Sequence, residues 1–266
     1  MNTNVFNEIS LMNSKSCALI TGASSGIGLE LAKIHAQQGG DLVLVARSEE
    51  KLQQLKRQLE KQHSGLVTVI VEDLSQAGAA GRVFAQTQSM GLVVDMLINN
   101  AGFGGHGLFH TRDVHAEESM MQVNMVALTS LTHLYLQGMV ERKRGRILNV
   151  SSTASFLPGP LQAVYYATKA YVTSFSQAIA EEVAAHNITV TALCPGPVKT
   201  GFVAAANLEG VAVFDQSKSA ESVAECGYKA MVRGDLVLFN ETKLKLLLNW
   251  VVPFLPRKLV LKVSRK

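Results

Sequence analysis

Two short apolar runs enclose a glycine-rich turn and a helical stretch in residues 17–46, and that order leaves few folds open. Cys17–Thr21 (Cys-Ala-Leu-Ile-Thr) reads as a short buried strand, and Leu42–Ala46 (Leu-Val-Leu-Val-Ala) as a second. Between them, Gly22-Ala-Ser-Ser-Gly-Ile-Gly28 leads into a helical stretch over Leu29–Gln38, which Gly39-Gly40 ends. Strand, glycine turn, helix, strand is the setting that a dinucleotide-binding turn requires. The glycines permit a tight bend and close approach of a pyrophosphate, and the helix start offers free N–H groups and a favourable dipole to that anion. The spacing is Gly-x-x-x-Gly-x-Gly rather than Gly-x-Gly-x-x-Gly, so the turn taken alone also fits a plain loop.

The same alternation continues. Val67–Val71, Met96–Asn99, Arg146–Val150 and Thr189–Leu193 read as further strands separated by helical patterns, which implies a parallel sheet covered on both faces. With 266 residues, 47% hydrophobic and 17% charged, the chain suits one α/β domain with a large core. No repeat or low-complexity linker marks a boundary, so residues 17–266 are expected to form one unit behind a polar, frayed tail over residues 1–16.

Tyr165 and Lys169 carry the most specific chemistry. They stand four apart in Tyr-Tyr-Ala-Thr-Lys, and on a helix positions i and i+4 share a face. An ammonium beside a phenol favours the phenolate. Free tyrosine titrates near ~10, and lowering it by ~2–3 units takes about 3–4 kcal/mol of differential stabilisation. Ser152, thirteen residues upstream in Asn-Val-Ser-Ser, would donate a hydrogen bond to the same substrate oxygen. Tyr166, three from Lys169, and Ser151 are adjacent decoys. Tyr-x-x-x-Lys alone also fits a surface helix with one aromatic and one lysine, and its weight comes from its companions.

Those companions are Thr21-Gly22-x-x-x-Gly26-x-Gly28, Asn99-Asn100-Ala101-Gly102, Asn124, Ser152, Tyr165-x-x-x-Lys169 and Pro195-Gly196. In this order and spacing the chain resembles the single-domain short-chain dehydrogenase/reductases from about Cys17 to about Thr200. The resemblance implies a Rossmann-type, doubly wound parallel sheet of about seven strands with helices on both faces. It implies hydride transfer between a nicotinamide cofactor and a carbonyl, with Tyr165 as acid/base, Lys169 lowering its pKa and holding the nicotinamide ribose, and Ser152 polarising the carbonyl. Asn124 resembles the asparagine that fixes a water linking Lys169 to solvent; the bland alternative is a helix-interior polar residue satisfied by backbone.

The cofactor surface implied by the resemblance takes in Gly22, Ser24, Ser25, Gly26, Ile27 and Gly28 of the turn. It adds Asp73 and Leu74 near the adenine, Asn100, Ala101 and Gly102 near the adenosine ribose, and Pro195, Gly196, Val198 and Thr200 near the carboxamide, with Tyr165 and Lys169. Asp73 also fits a helix N-terminus. The second strand ends in Ala46 and is followed by Arg47, where an NAD-preferring chain places a carboxylate. A planar guanidinium suits a 2′-phosphate, so NADP(H) is favoured over NAD(H). The alternative for Arg47 is a loose surface pair with Glu49 or Glu50.

Other chemistries find little support. No Gly-x-Ser-x-Gly elbow surrounds Ser151 or Ser152, which disfavours a hydrolase. The seven histidines form no zinc pattern, and His106 and His110, four apart after Gly102–Gly107, lack a third ligand, so no metal is expected. Cys17, Cys194 and Cys226 have no metal or redox spacing; the odd count, with no secretory signal, suggests a cytoplasmic setting. No nucleic-acid-binding motif is present.

Residues 201–228 correspond to the variable substrate loop and are fairly apolar, with Phe202, Val203, Val211, Val213 and Phe214, which hints at an apolar substrate under a lid. Residues 229–266 hold nine Lys/Arg against two Asp/Glu, a net +7 in a chain whose total is +4. The apolar stretch Leu244–Val263 is interrupted by Pro253, Pro256 and several cations, too short and too charged to span a bilayer. It fits either helices packed over the cleft or a neighbouring subunit, or a basic amphipathic element on an anionic membrane surface. A homodimer or homotetramer through helices near Ala116–Val140 and Tyr165–His186 is implied by the resemblance. A catalytically silent NADP(H)-binding regulator on the same fold is the rival to a reductase.

Overall fold

The computed structural model describes residues 16–199 and 217–265. Most of the polar N-terminal tail, Thr200 and the apolar lid residues Phe202–Phe214 lie outside the described residues.

Seven parallel strands form one sheet in the order β3-β2-β1-β4-β5-β6-β9. In chain order these are β1 (Cys17–Thr21), β2 (Asp41–Ala46), β3 (Val67–Val71), β4 (Met96–Asn99), β5 (Gly145–Val150), β6 (Ile188–Cys194) and β9 (Val237–Phe239). A separate two-stranded ribbon pairs β7 (Val198–Lys199) with β8 (Lys218–Ser219). Apart from Asp41 at the start of β2 the central strands are buried along their whole length, which is why they read as unbroken apolar runs rather than alternating ones. Register is regular, with Leu19 opposite Val43 on one side and Leu97 on the other.

Because side chains alternate along a strand, the two faces hold separate cores. Ala18, Ile20, Leu42, Leu44, Ile98 and Leu148 pack under α1 (Gly26–Gln37), α2 (Glu49–Gln62) and α7 (Ala220–Arg233). Leu19, Val43, Val45, Leu97 and Ile147 pack on the other face, under α3 (Ala79–Ser89), α5 (Leu128–Arg142) and α6 (Ala163–Val183). Helix α4 (Val114–Met121) runs into α5 through a π-helical stretch, Gln122–Ala127. After β9 come α8 (Thr242–Leu246), a π-helical turn over Leu247–Val251, a short 3-10 turn and α9 (Arg257–Ser264).

The strand order reverses between β1 and β4. In an open parallel sheet the carboxyl ends of strands at such a switch point splay apart and leave a crevice. Cys17 and Cys194 are buried, as small apolar residues in strands would be, and burial pushes both thiols up, Cys17 to about 12.

Candidate active site

A cleft of about 1030 Å³ opens over the carboxyl ends of the strands. That volume lies at the upper end of ligand sites and accommodates a dinucleotide together with a substrate. Every site residue expected from the sequence lines it except Gly28, Asn124 and Thr200. Gly28 lies beneath the glycine turn, Asn124 stands behind Gly102, and Thr200 is outside the described residues.

The turn is held from β4. Thr21 Oγ1 accepts from the backbone N–H groups of Asn100 and Ala101, each at 3.0 Å. Asn100 Nδ2 donates to the Thr21 carbonyl at 2.8 Å and the Gly22 carbonyl at 3.2 Å. The Asn100 amide therefore locks the turn to its neighbouring strand as well as lining the cleft. Gly22 has φ +65, and a Cβ on it would come within 2.8 Å of Asn100 Nδ2. A Cβ on Gly28 would meet the same amide and the Gly22 carbonyl. These contacts explain the glycines by backbone conformation and close packing. Helix α1 starts at Gly26, three residues earlier than its apolar pattern suggests, and Ser25 at its cap makes no side-chain capping bond. Its first N–H groups face a cleft suited to an anion.

Ser152, Tyr165 and Lys169 converge on the cleft between β5 and α6. The Ser152 hydroxyl is hydrogen-bonded to the Tyr165 phenol and also accepts from Ala154 N at 3.1 Å. Lys169 Nζ lies 5.8 Å from the centre of the Tyr165 ring and donates to the Val150 carbonyl at 2.8 Å. Here the sequence-based expectation needs correction. Burial pushes Tyr165 up to about 12; the Ser152 hydrogen bond opposes that shift and the neighbouring Tyr166 adds to it. Desolvation of the phenolate exceeds what a cation at that distance returns. Burial instead pushes Lys169 down to about 8, with Cys194 working weakly the other way.

Asn124 sits in the π-helical stretch, a local widening common at functional sites. Its Nδ2 donates to the Phe103 carbonyl at 3.0 Å and to Thr168 Oγ1 at 3.1 Å, and its Oδ1 accepts from Phe103 N at 3.1 Å. Both amide hydrogens are thus engaged in pinning the loop after β4 to α6. The backbone that satisfies Asn124 belongs to another segment rather than to its own helix. The two decoys separate clearly: Ser151 is buried, donating to the Lys169 carbonyl at 2.9 Å and bonded to Thr173, whereas Tyr166 lines the cleft with its ring packed on Gly159.

At the far end Arg47 is exposed, with no ion pair among the described residues, and it faces Asp73. Asp73 does not cap a helix. Its Oδ1 accepts from Ser75 N at 3.0 Å and Ser75 Oγ at 2.9 Å, and α3 begins only at Ala79. Burial works to raise the Asp73 carboxyl, but the Ser75 donors and the Arg47 charge outweigh it and hold it below the usual carboxylate range. Lys51, not anticipated from the sequence, also lines this end; it follows Arg47 by four residues, the one signal that pointed to it. These cations, the open helix start and the close-packed glycines fit a phosphorylated dinucleotide.

At the substrate end the cleft gains Phe103, Pro160, Leu161 and Arg265, which sequence reasoning missed, and Leu244 and Val263, the two ends of the apolar stretch that one sequence reading placed over the cleft. Leu244 also fills the space beside Gly196, whose N–H donates to Asn240 Oδ1 at 3.0 Å. Thr153 N donates to the Pro195 carbonyl at 2.9 Å, tying the Pro195–Val198 loop to the serine segment. His106 lines the cleft and His110 lies exposed on a short turn; among the described residues no cluster of three metal-ligating side chains occurs.

Comparison with known proteins shows the family and the fold. The family model for short chain dehydrogenases matches residues 16–209. A very-long-chain 3-oxoacyl-CoA reductase of Macaca fascicularis is 29% identical over 253 residues, covering 93% of this chain and 78% of that protein. A fatty acyl-CoA reductase of Acinetobacter baylyi is 36% identical over 189 residues, covering 70% of this chain and 64% of that relative, so less than two thirds of its length is spanned. A solved short-chain dehydrogenase from Sphingobium yanoikuyae in complex with NADPH superposes with a TM-score of 0.81 at 28% identity, over 87% of this chain and 90% of that one.

Proposed function

The chain belongs to the short-chain dehydrogenase/reductase family, and from that premise we propose that it is an NADP(H)-dependent carbonyl reductase acting on a ketone or aldehyde with an apolar portion. The reverse reaction oxidises a secondary alcohol. The observation that carries the proposal is the convergence of Ser152, Tyr165 and Lys169 on one end of a cleft whose other end holds the glycine turn and Arg47.

A reduced nicotinamide bound in the cleft would supply the hydride for the carbonyl carbon. Tyr165 delivers the proton to the carbonyl oxygen; burial keeps the phenol protonated, and the positive charge of Lys169 favours the phenolate that the transfer leaves behind. Ser152 orients the phenol through their hydrogen bond and donates to the same substrate oxygen. Lys169 brings a positive charge beside the ring and would hold the cofactor ribose. Asn124 positions the loop that carries Gly102 and Phe103, and the remaining lone pair of its Oδ1 suits a water beside Lys169. Arg47 and Lys51, which both line that end of the cleft, would hold the 2′-phosphate.

The apolar side chains of Phe103, Pro160, Leu161, Leu244 and Val263 support an apolar substrate, and two relatives are named for acyl-CoA compounds. A fatty-acyl carbonyl is the substrate class that both considerations favour. The proposal includes a homodimer or homotetramer built on the α4–α5 and α6 helices, where Met121 and Val126 lie exposed.

Titration with NADPH and NADH, followed by the blue shift of nicotinamide fluorescence, tests the reading before any substrate is known. A preference for NADPH of about tenfold or more, equivalent to about 1.4 kcal/mol, lost in Arg47→Ala, is expected. A preference for NADH overturns the role of Arg47. No binding of either cofactor moves the reading to a silent scaffold. If NADPH binds, a screen of long-chain ketones and aldehydes with NADPH then tests turnover.

A further inference from the structure

Residues after β9 have two unlike faces. Inward, Leu248 and Val260 are buried, and Leu244 and Val252 pack with Phe156, Leu157 and Phe239. Ser264 Oγ donates to the Pro158 carbonyl at 2.8 Å, and Val263, Ser264 and Arg265 border the cleft. The packing alternative for this segment is therefore the one the structure adopts on its inner side.

The outer side remains uncovered. Among the described residues eighteen large hydrophobic side chains are exposed, and eight of them fall between Leu246 and Val263. Trp250 is 70% exposed and Phe254 79%. Leu246, Leu247 and Val251 lie in the same short stretch, also exposed. Lys243, Lys245, Arg257, Lys258, Lys262 and Arg265 flank and intersperse them along the chain, all exposed, and none of these six is held in an ion pair among the described residues. Glu241 is the only acid in the segment, and it is half-buried.

We propose that this outer face docks on an anionic phospholipid bilayer, with Trp250 and Phe254 seated at the level of the headgroups and the surrounding lysines and arginines on lipid phosphates. The charge chooses the occupant. A second copy of the chain would bring the same six cations against these, whereas an anionic bilayer offers both apolar depth and opposite charge. An aromatic ring at a lipid–water boundary gains on both sides, which a ring held in water does not. No helix among the described residues is long and apolar enough to cross a membrane, so the contact is peripheral. The same segment borders the substrate end of the cleft on its inner side, so docking brings that end of the cleft near the lipid. Delivery of a membrane-resident carbonyl substrate follows only if the reductase reading above holds; docking itself does not depend on it.

Trp250 is the single tryptophan of the chain, so its emission reports directly on the patch. The full chain is mixed with phosphatidylcholine vesicles, with and without phosphatidylserine. A blue shift and co-sedimentation with the anionic vesicles, weakened by salt and by Arg257→Glu with Lys258→Glu, are expected. Phe254→Ser should weaken partitioning roughly tenfold or more while NADPH titration stays as in wild type. Equal behaviour with both vesicle types, or no shift with either, overturns the proposal. A concentration-dependent blue shift without lipid, accompanied by a doubling of mass in sedimentation, assigns the patch to a second copy and overturns it equally. Failure to bind NADPH with vesicle binding intact would defeat the reductase reading alone.

Discussion

Lys169 lies one helical turn along from Tyr165, 5.8 Å from the centre of its ring, yet directs its ammonium to the Val150 carbonyl at 2.8 Å. The lysine is thus anchored on the end of β5 and reaches the tyrosine through space. Burial leaves it with a pKa of about 8, within the range of an enzyme assay.

That value predicts an alkaline limb. The charged form is the one that serves the site, and it is lost as pH rises through about 8. With NADPH and a carbonyl substrate, kcat/KM of the free enzyme should fall across that region. Lys169→Met should lower the rate by roughly 10²–10⁴-fold and remove the limb. A wild-type profile that stays flat through and well beyond pH 8 would show that the charge on Lys169 is not required.

Tyr165 and Tyr166 offer a sharper contrast. Their rings meet edge to face with centres 6.1 Å apart, but only Tyr165 is bonded to Ser152. Tyr165→Phe should reduce turnover by about 10²–10⁴-fold while NADPH affinity is kept. Tyr166→Phe should retain most activity, since its ring packs on Gly159 and keeps that contact. Gly159→Ala, by contrast, puts a methyl into the Tyr166 ring and should cost about 1–3 kcal/mol of stability in denaturant titration. The opposite order of the two phenylalanine variants in a turnover assay would reassign the acid.

How far this site could be read in advance depended on what each feature needs. Cys17–Thr21 and Met96–Asn99 coincide with strands to the residue because strands buried on both faces read as bounded apolar runs, and Val67–Val71, a half-exposed edge strand, does so through its β-branched run Val-Thr-Val-Ile-Val. Val237–Phe239 was not separable from the apolar, basic tail around it; a three-residue edge strand has no pattern of its own. The π-helical stretch at Gln122–Ala127 accompanies bonds between Asn124 and Phe103, a long-range partner that helical periodicity does not reveal. The direction of the Tyr165 shift failed for a related reason. Spacing shows which charge is near, but the burial that decides the sign is a property of the assembled fold. Leu161 and Arg265 reach the cleft from distant parts of the chain and carry no local motif.

Leu161 has φ +69, a conformation that L side chains adopt at a cost of about 1–3 kcal/mol. Its carbonyl accepts from Gly107 N at 2.9 Å, which holds the strained residue at the substrate end of the cleft. Leu161→Gly and Leu161→Ala both remove the apolar wall, but only glycine relieves the backbone. The glycine variant should therefore be the more stable of the two by about 1 kcal/mol, and both should raise KM for a long-chain carbonyl. Thermal melts of the pair decide the first point; an alanine variant as stable as the glycine one would show that the backbone holds no such strain.

His35 predicts how the fold responds to acid. It is 1% exposed, with Nε2 at 2.9 Å from the Ser16 carbonyl and Nδ1 at 2.9 Å from the Tyr228 hydroxyl. A carbonyl only accepts, so Nε2 carries the hydrogen, and in the neutral ring that burial favours Nδ1 accepts from Tyr228. Burial pushes the His35 pKa below its ordinary value, against the smaller opposing effects of the Ser16 and Asp41 backbone and of Asp41 and Asp95. The unfolded chain therefore takes up this proton more readily than the folded one. The stability contributed by the neutral ring is complete above about pH 6.5 and declines as pH falls below it. Urea midpoints should drop between neutral pH and about pH 5, before most carboxylates titrate. His35→Leu is expected to lower stability at neutral pH yet flatten that slope, because no proton remains to be taken up at this position. An unchanged slope in the variant would assign the acid sensitivity to other groups and leave His35 as a packing residue only.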